Sequence, residues 1–173
     1  MGNSDKFILD ACCGGRMFWF NKKHPNAIYI DMRTAEKGHI QNGWDPNHSV
    51  EPDEIMDFRN LRYADNSFKL VVFDPPHIIR KSVSEKSLMF KKYGTLLEDT
   101  WKDDLIKGFN ECWRVLQDYG VLIFKWGESD VKKSEVLSIL GRPALFGHPS
   151  RSSGTTHWIC FMKIPEGGEN DRH

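Results

Sequence analysis

Leu70-Val71-Val72-Phe73-Asp74-Pro75-Pro76-His77 is a short apolar run that stops at a carboxylate, then two prolines and a planar side chain. A run without polar alternation reads as a strand covered on both faces, the kind that builds parallel sheets. Three more runs have this form. Phe7-Ile8-Leu9 ends in Asp10, and Ala27-Ile28-Tyr29-Ile30 ends in Asp31. Val121-Leu122-Ile123-Phe124 follows a predicted turn at Asp118-Tyr119-Gly120.

Helical or loop stretches lie between these runs. The clearest helix covers 101–116, where Leu105, Ile106, Phe109, Cys112, Trp113 and Leu116 fall at helical spacing. Thr100 and Asp103 have the form of a capping box with Asp in place of Glu. A second helix is predicted over 129–140, with Ser129 as N-cap and Gly141 near its end. A third should follow Gly15 through Met17, Phe18, Trp19 and Phe20. The stretch 158–162 reads as the last strand, with Ala144-Leu145-Phe146 as its partner.

Strand and helix in alternation predict an α/β fold, an open and mostly parallel sheet. In such sheets ligands bind beyond the carboxyl ends of the strands, near the point where strand order reverses. Three of the runs end in Asp, which puts acidic groups there.

A chain of 173 residues suits one domain, expected over 1–165, with a polar, disordered tail over 166–173. No apolar run reaches the length of a membrane span, and no membrane partner is expected. The start, Met1 to Lys6, lacks the basic and apolar regions of a secretory signal. Cys12, Cys13, Cys112 and Cys160 lack metal-ligand spacing, so no metal is expected and reduced thiols in a cytoplasmic protein are. The 24 basic and 24 acidic side chains balance, which argues against strong unaided nucleic-acid binding but leaves weak or local binding open.

The most specific chemistry sits at Asp74-Pro75-Pro76-His77. Two prolines stiffen the backbone and remove two N–H donors, leaving free carbonyls beside a carboxylate. Such a site accepts two hydrogen bonds from an amino group while an imidazole stacks on a flat ring. At Asp10-Ala11-Cys12-Cys13-Gly14-Gly15-Arg16, the glycines let backbone approach a ligand closely, although a plain strand-to-helix turn looks the same. Asp31 stands 21 residues after Asp10, the place of an acid that holds ribose hydroxyls; an exposed strand-end carboxylate is the other reading. Asp57, after Ile55-Met56, is either a third acid of this kind or a solvated one in an acid-rich stretch.

On these residues the chain resembles the class I S-adenosylmethionine-dependent methyltransferases. More narrowly, it resembles the small phage and prophage amino-methyltransferases that modify exocyclic nitrogens of nucleobases. Their first motif, Asp-Pro-Phe-x-Gly-x-Gly, is matched by Asp10 to Arg16. Their fourth, Asp/Asn/Ser-Pro-Pro-Tyr/Phe/Trp, is matched by Asp74 to His77. The resemblance covers about 7–163 of the chain. It implies a single Rossmann-like domain, with a seven-stranded, mostly parallel sheet and an antiparallel C-terminal hairpin.

It also implies S-adenosyl-L-methionine as cofactor. Asp10, Ala11, Cys12, Cys13, Gly14, Met32 and Asp74 would surround it, with Asp31 at the ribose and Asp57 and Phe58 at the adenine. Arg16 is expected at the methionyl carboxylate, from its place at the start of the helix. Asp74, Pro75, Pro76 and His77 are the expected catalytic set, acting on adenine N6 in DNA, or on RNA or cytosine N4. His77 departs from the usual aromatic, Gly15-Arg16 departs from the usual Gly-x-Gly ending, and no insertion supplies a target-recognition domain.

Arg80, Lys81, Lys86, Lys91 and Lys92 are interleaved with Ile78, Ile79, Leu88, Met89, Phe90 and Tyr93. Cations mixed with aromatics suit a nucleic-acid strand, and equally an ordinary solvated lid. His77, Arg80, Lys81, Lys125 and Trp126 are the expected substrate-binding residues. Other readings stay open: a protein glutamine or small amine as acceptor, or a non-catalytic subunit; a homodimer or a partner subunit stays open under every reading. A nucleotide-binding oxidoreductase ranks last, because no dinucleotide fingerprint exists.

Overall fold

The protein is described by a computed structural model covering residues 6–40, 45–83, 87–150 and 155–165. The tail expected over 166–173 and Lys86 lie outside the described residues.

Four parallel strands form the middle and one side of the sheet: β1 (Ile8–Asp10), β2 (Ala27–Asp31), β3 (Glu54–Ile55) and β4 (Phe68–Phe73). β1 lies between β2 and β4, and β3 is added outside β2. A small parallel pair, β5 (Ile79–Arg80) and β6 (Leu96–Leu97), brackets helix α1 (Leu88–Tyr93). Helix α2 (Trp101–Val115) leads into β7 (Leu116–Gly127), parallel to β4. After α3 (Lys133–Leu140), β8 (Phe146–Pro149) and β9 (Thr156–Met162) close the far edge antiparallel. The seven-stranded order is β3-β2-β1-β4-β7-β9-β8, so strand order reverses between β1 and β4. The expected fold class is the observed one.

The main core lies on one face. Leu9, Ile30, Val71, Phe73, Leu122, Phe124 and Phe161 of the strands meet Leu105, Phe109 and Cys112 of α2 and Val136 of α3. The Phe109 ring packs edge-on against Phe124 and Phe161. Emptying it to Ala would cost about 3–5 kcal/mol in a site this closed. The other face carries a smaller cluster of Cys13, Ala27 and Tyr29 with Ile8 and Trp19.

The helix expected after Gly15 is absent; 14–26 runs as successive turns. Gly14 at φ 46° and Arg16 at φ 51° are both left-handed, which a right-handed helix does not admit. Pro25 then limits what could follow. Trp19 is fixed instead by a 2.7 Å hydrogen bond from its indole N–H to Asp10.

α3 starts at Lys133 and not near Ser129, because Glu128 Oε1 accepts the Lys133 backbone N–H at 2.8 Å and caps it from outside the helix. Thr100 does precede α2, but its hydroxyl donates to Asp104 at 2.8 Å and no capping box forms. The turn expected at 118–120 is a bulge inside the continuous strand β7. Phe68 pairs with Leu116 and Leu70 with Val121, and Tyr119 takes φ 59° to absorb the extra residues. The partner of β9 begins later than Ala144, at Phe146, with Leu145 N–H already donating to the Cys160 carbonyl at 2.8 Å.

Candidate active site

A cleft of about 540 Å³ opens at the carboxyl ends of β1, β2 and β4, beside the strand-order reversal. That is the size of a site for a small molecule or cofactor. Its floor is the turn after β1, with Ala11, Cys12, Cys13, Gly14 and Gly15. Gly15 leaves room for His48 beside this floor: a Cβ there would lie 2.8 Å from His48 Nε2. His48 is itself buried, and among the described residues neither ring nitrogen has a hydrogen-bond partner.

One wall holds Asp31, Met32 and Arg33 from the end of β2, and Phe58 and Arg59 from beyond β3. Asp31 is 5% exposed and its carboxylate is fully engaged. Gly14 N–H donates to Oδ2 at 3.0 Å, and Arg33 donates its own N–H, Nε and Nη2 at 2.9, 3.0 and 3.1 Å. The opposite wall is Asp74, Pro75, Pro76 and His77, directly after β4, with Lys125 from β7. Lys125 Nζ donates to Asp74 Oδ2 at 2.7 Å. Its ammonium also lies 5.7 and 5.6 Å from the Phe18 and Trp158 ring centres. Burial raises the Asp74 carboxyl above the ordinary range, and Lys125 pulls it back. Burial lowers His77, so its imidazole is neutral near pH 7. The His77 ring packs on Gly127, 6.4 Å from the Tyr93 ring and 6.3 Å from the Trp126 ring. The roof comes from α1 and β6, with Phe90, Tyr93, Thr95 and Leu97.

Of the expected site residues, this cleft therefore gathers Ala11, Cys12, Cys13, Gly14, Asp31, Met32, Phe58, Asp74, Pro75, Pro76, His77 and Lys125. Asp57 lines a neighbouring depression of about 220 Å³ that shares Met32 with the cleft.

Five residues are placed elsewhere. Asp10 is fully buried beneath the floor, accepting from Trp19 and from Cys12 N–H. Burial pushes its carboxyl up to about 7. Arg16 turns away from the cleft. Its guanidinium lies 3.8 Å over the Tyr29 ring and donates to the Lys22 and Glu51 carbonyls and to Asp53. Without a helix after Gly15, nothing aims it inward. Trp126 is a core residue, stacked on Phe124 and donating to the Val131 carbonyl at 3.0 Å. Arg80 is tied to Asp130 at 3.0 Å, and Lys81 is exposed outside the lining.

The cleft also includes Arg33, Arg59, Thr100 and Asp104, which the sequence reading did not select. A signal for the two arginines existed. Asp31-Met32-Arg33 and Asp57-Phe58-Arg59 repeat one pattern at two strand ends. In both, Oδ1 of the Asp accepts the Arg backbone N–H at 2.9 Å and the Arg Nε at 3.0 Å. Arg59 also donates to Asp104 at 2.8 Å.

Among the described residues no group of three or more His, Cys, Asp or Glu is placed to hold a metal ion. No described helix is long and apolar enough to cross a membrane.

No family model matches the chain, and no curated protein matches it. Solved structures do. The PH0226 protein of Pyrococcus horikoshii OT3 superposes with a TM-score of 0.57 at 12% identity, over 91% of this chain and 81% of that one. A SAM-dependent methyltransferase from Methanosarcina mazei gives 0.53 at 12%, over 94% of both chains. The N-methyltransferase NodS from Bradyrhizobium japonicum WM9 gives 0.52 at 12%, over 92% and 86%. The fold is thus the Rossmann-like fold of S-adenosylmethionine-dependent methyltransferases.

Proposed function

We propose that the chain is an S-adenosyl-L-methionine-dependent N-methyltransferase acting on an exocyclic amino group of a nucleobase, adenine N6 in DNA before RNA or cytosine N4. The observation that carries this reading is the Asp74-Pro75-Pro76-His77 wall, opposite Asp31 and over the Gly14-Gly15 floor in one cleft.

The donor set suits the cofactor. Gly14 and Gly15 give close backbone approach, Asp31 offers a carboxylate for ribose hydroxyls, and Met32 and Phe58 offer apolar faces for an adenine. When bound, S-adenosyl-L-methionine supplies an electrophilic sulfonium methyl. The protein's task is then to present a weak nucleophile in line. Asp74 Oδ2 is held by Lys125, and among the described residues Oδ1 takes no hydrogen bond, so it is free to accept one from an amino group. The Pro75 carbonyl can accept the second. Two acceptors orient the nitrogen and stabilise the positive charge that develops on it. Neutral His77 stacks on the ring, and a base in a duplex must first leave its stack.

A second acceptor class, a small-molecule or peptide amine, is favoured by the rim. Met17, Met32, Val83 and Leu97 line the cleft while 36% or more exposed, and Arg80 is neutralised by Asp130. An apolar rim suits an apolar acceptor better than a phosphate backbone.

The test uses S-adenosyl-L-methionine with a deuterated methyl group, incubated with wild type or Asp74→Ala on mixed DNA and RNA. After digestion, mass spectrometry identifies labelled nucleosides. Labelled N6-methyladenine or N4-methylcytosine nucleosides, absent with the variant, are expected. Label appearing only on added peptides or amines moves the acceptor to the second class. Undiminished transfer by Asp74→Ala refutes the role of Asp74.

A further inference from the structure

The Asp31 carboxylate is saturated. A carboxylate offers about four lone-pair sites, and Gly14 N–H, Arg33 N–H, Arg33 Nε and Arg33 Nη2 fill four. Two of those donors are backbone and stay wherever the side chain goes. The other two belong to the Arg33 guanidinium, one on each oxygen. A ribose presents two neighbouring hydroxyls, which is also a two-pronged donor. The diol and the guanidinium therefore need the same two lone pairs.

Arg33 is the group able to yield. Arg59 repeats its turn on Asp57 but is clamped between two carboxylates, Asp57 and Asp104. The second contact of Arg33 is weaker: Nη1 donates to the Phe90 carbonyl of α1 at 3.3 Å. The guanidinium thus spans the cleft from its wall to its roof, and Arg33 itself lines the cleft.

We infer that Arg33 is an internal competitor of the cofactor for Asp31: it caps the carboxylate and must release both oxygens before a ribose can bind. Release leaves its charge beside the Phe90 carbonyl, at the roof. This rests on the reading that the cleft takes S-adenosylmethionine, and it assigns Arg33 a role that opposes binding although it lies inside the site.

Calorimetric titration with S-adenosylhomocysteine tests it, on wild type, Arg33→Ala and Arg33→Lys, each checked for folding by circular dichroism. Arg33→Ala is expected to bind about five- to thirtyfold more tightly, the worth of a charge-assisted pair that no longer has to be broken. Arg33→Lys keeps the charge but cannot fork across both oxygens, so a smaller gain is expected; it carries the test if Arg33→Ala does not fold. The gain must vanish with an analogue lacking both ribose hydroxyls. Unchanged or weaker binding by the folded variants, or an equal gain for that analogue, overturns the inference. If wild type and variants alike fail to bind S-adenosylhomocysteine, the cofactor reading itself falls, a result distinct from either of these.

Discussion

Lys125 and Asp74 meet at 2.7 Å because their strands run side by side in parallel register. Phe73 pairs with Phe124, so the next residue of each strand projects at the same level above the sheet. Both side chains are only partly exposed, at 24% and 18%. The pair fixes which Asp74 oxygen faces the cleft and opposes the rise that burial imposes on its carboxyl.

Replacing Lys125 with Met removes the cation that offsets the burial of Asp74, so its carboxyl rises further. Methyl transfer at pH 7 is expected to fall by about tenfold, with the acidic limb of the pH profile moved to higher pH. Affinity for S-adenosylhomocysteine should stay within a few-fold. Lys125→Arg should restore most of the rate. A flat loss at every pH would instead point to a direct contact between Lys125 and substrate.

The Gly14-Gly15 floor makes a different prediction. A methyl group at position 15 collides with His48, whose ring is enclosed. Gly15→Ala is expected to lower stability by about 1–3 kcal/mol, the usual cost of overpacking. The double variant Gly15→Ala/His48→Ala should recover much of it, since among the described residues His48 has no hydrogen bond to lose. Urea unfolding of the four proteins gives the coupling directly. Additive losses would mean that the collision is not the cause.

Asp10 sets a pH dependence. Burial raises its carboxyl to about 7, while the hydrogen bonds from Trp19 and Cys12 oppose that rise. An unfolded Asp titrates near 3.9. Between roughly pH 4 and 7 the folded chain therefore holds a proton that the unfolded chain has lost, and stability falls as pH rises through that window. His48 and His77, both lowered by burial, slope the other way. The informative quantity is thus the difference between wild type and Asp10→Asn. Wild type should lose roughly 2–4 kcal/mol relative to the variant from pH 4 to 8. A parallel pair of stability curves would show that Asp10 is ionised throughout.

Much of this architecture could be read from residue order. Continuous apolar runs ending in Asp report strands buried on both faces, and the rule for open α/β sheets places their carboxyl ends at the ligand. That is why the Asp31 and Asp74 walls and the Gly14 floor were visible in advance. The misreadings share a physical origin. Whether Met17 to Phe20 coil depends on left-handed backbone at Arg16, which its residue type does not announce. Trp126 follows Lys125, but strand alternation sends adjacent side chains to opposite faces, so only one of them reaches the cleft. Arg16 carries the right charge for an anion, yet Tyr29 and Asp53, distant in sequence, claim it. Arg33 and Arg59 were legible through their repeated Asp-x-Arg spacing, a pattern that gains meaning only once both aspartates are known to end strands.

The turns of 14–26 have one last consequence. In many α/β folds the peptide dipoles of a helix starting at the first turn converge on the ligand and attract its anionic end. Here that segment coils into nothing long enough to carry such a dipole. Attraction for a carboxylate or phosphate must come from discrete side-chain charges such as Arg33, Arg59 and Lys125 in the cleft walls. Point charges that reach solvent are screened by dissolved ions, so ligand capture should weaken with rising ionic strength.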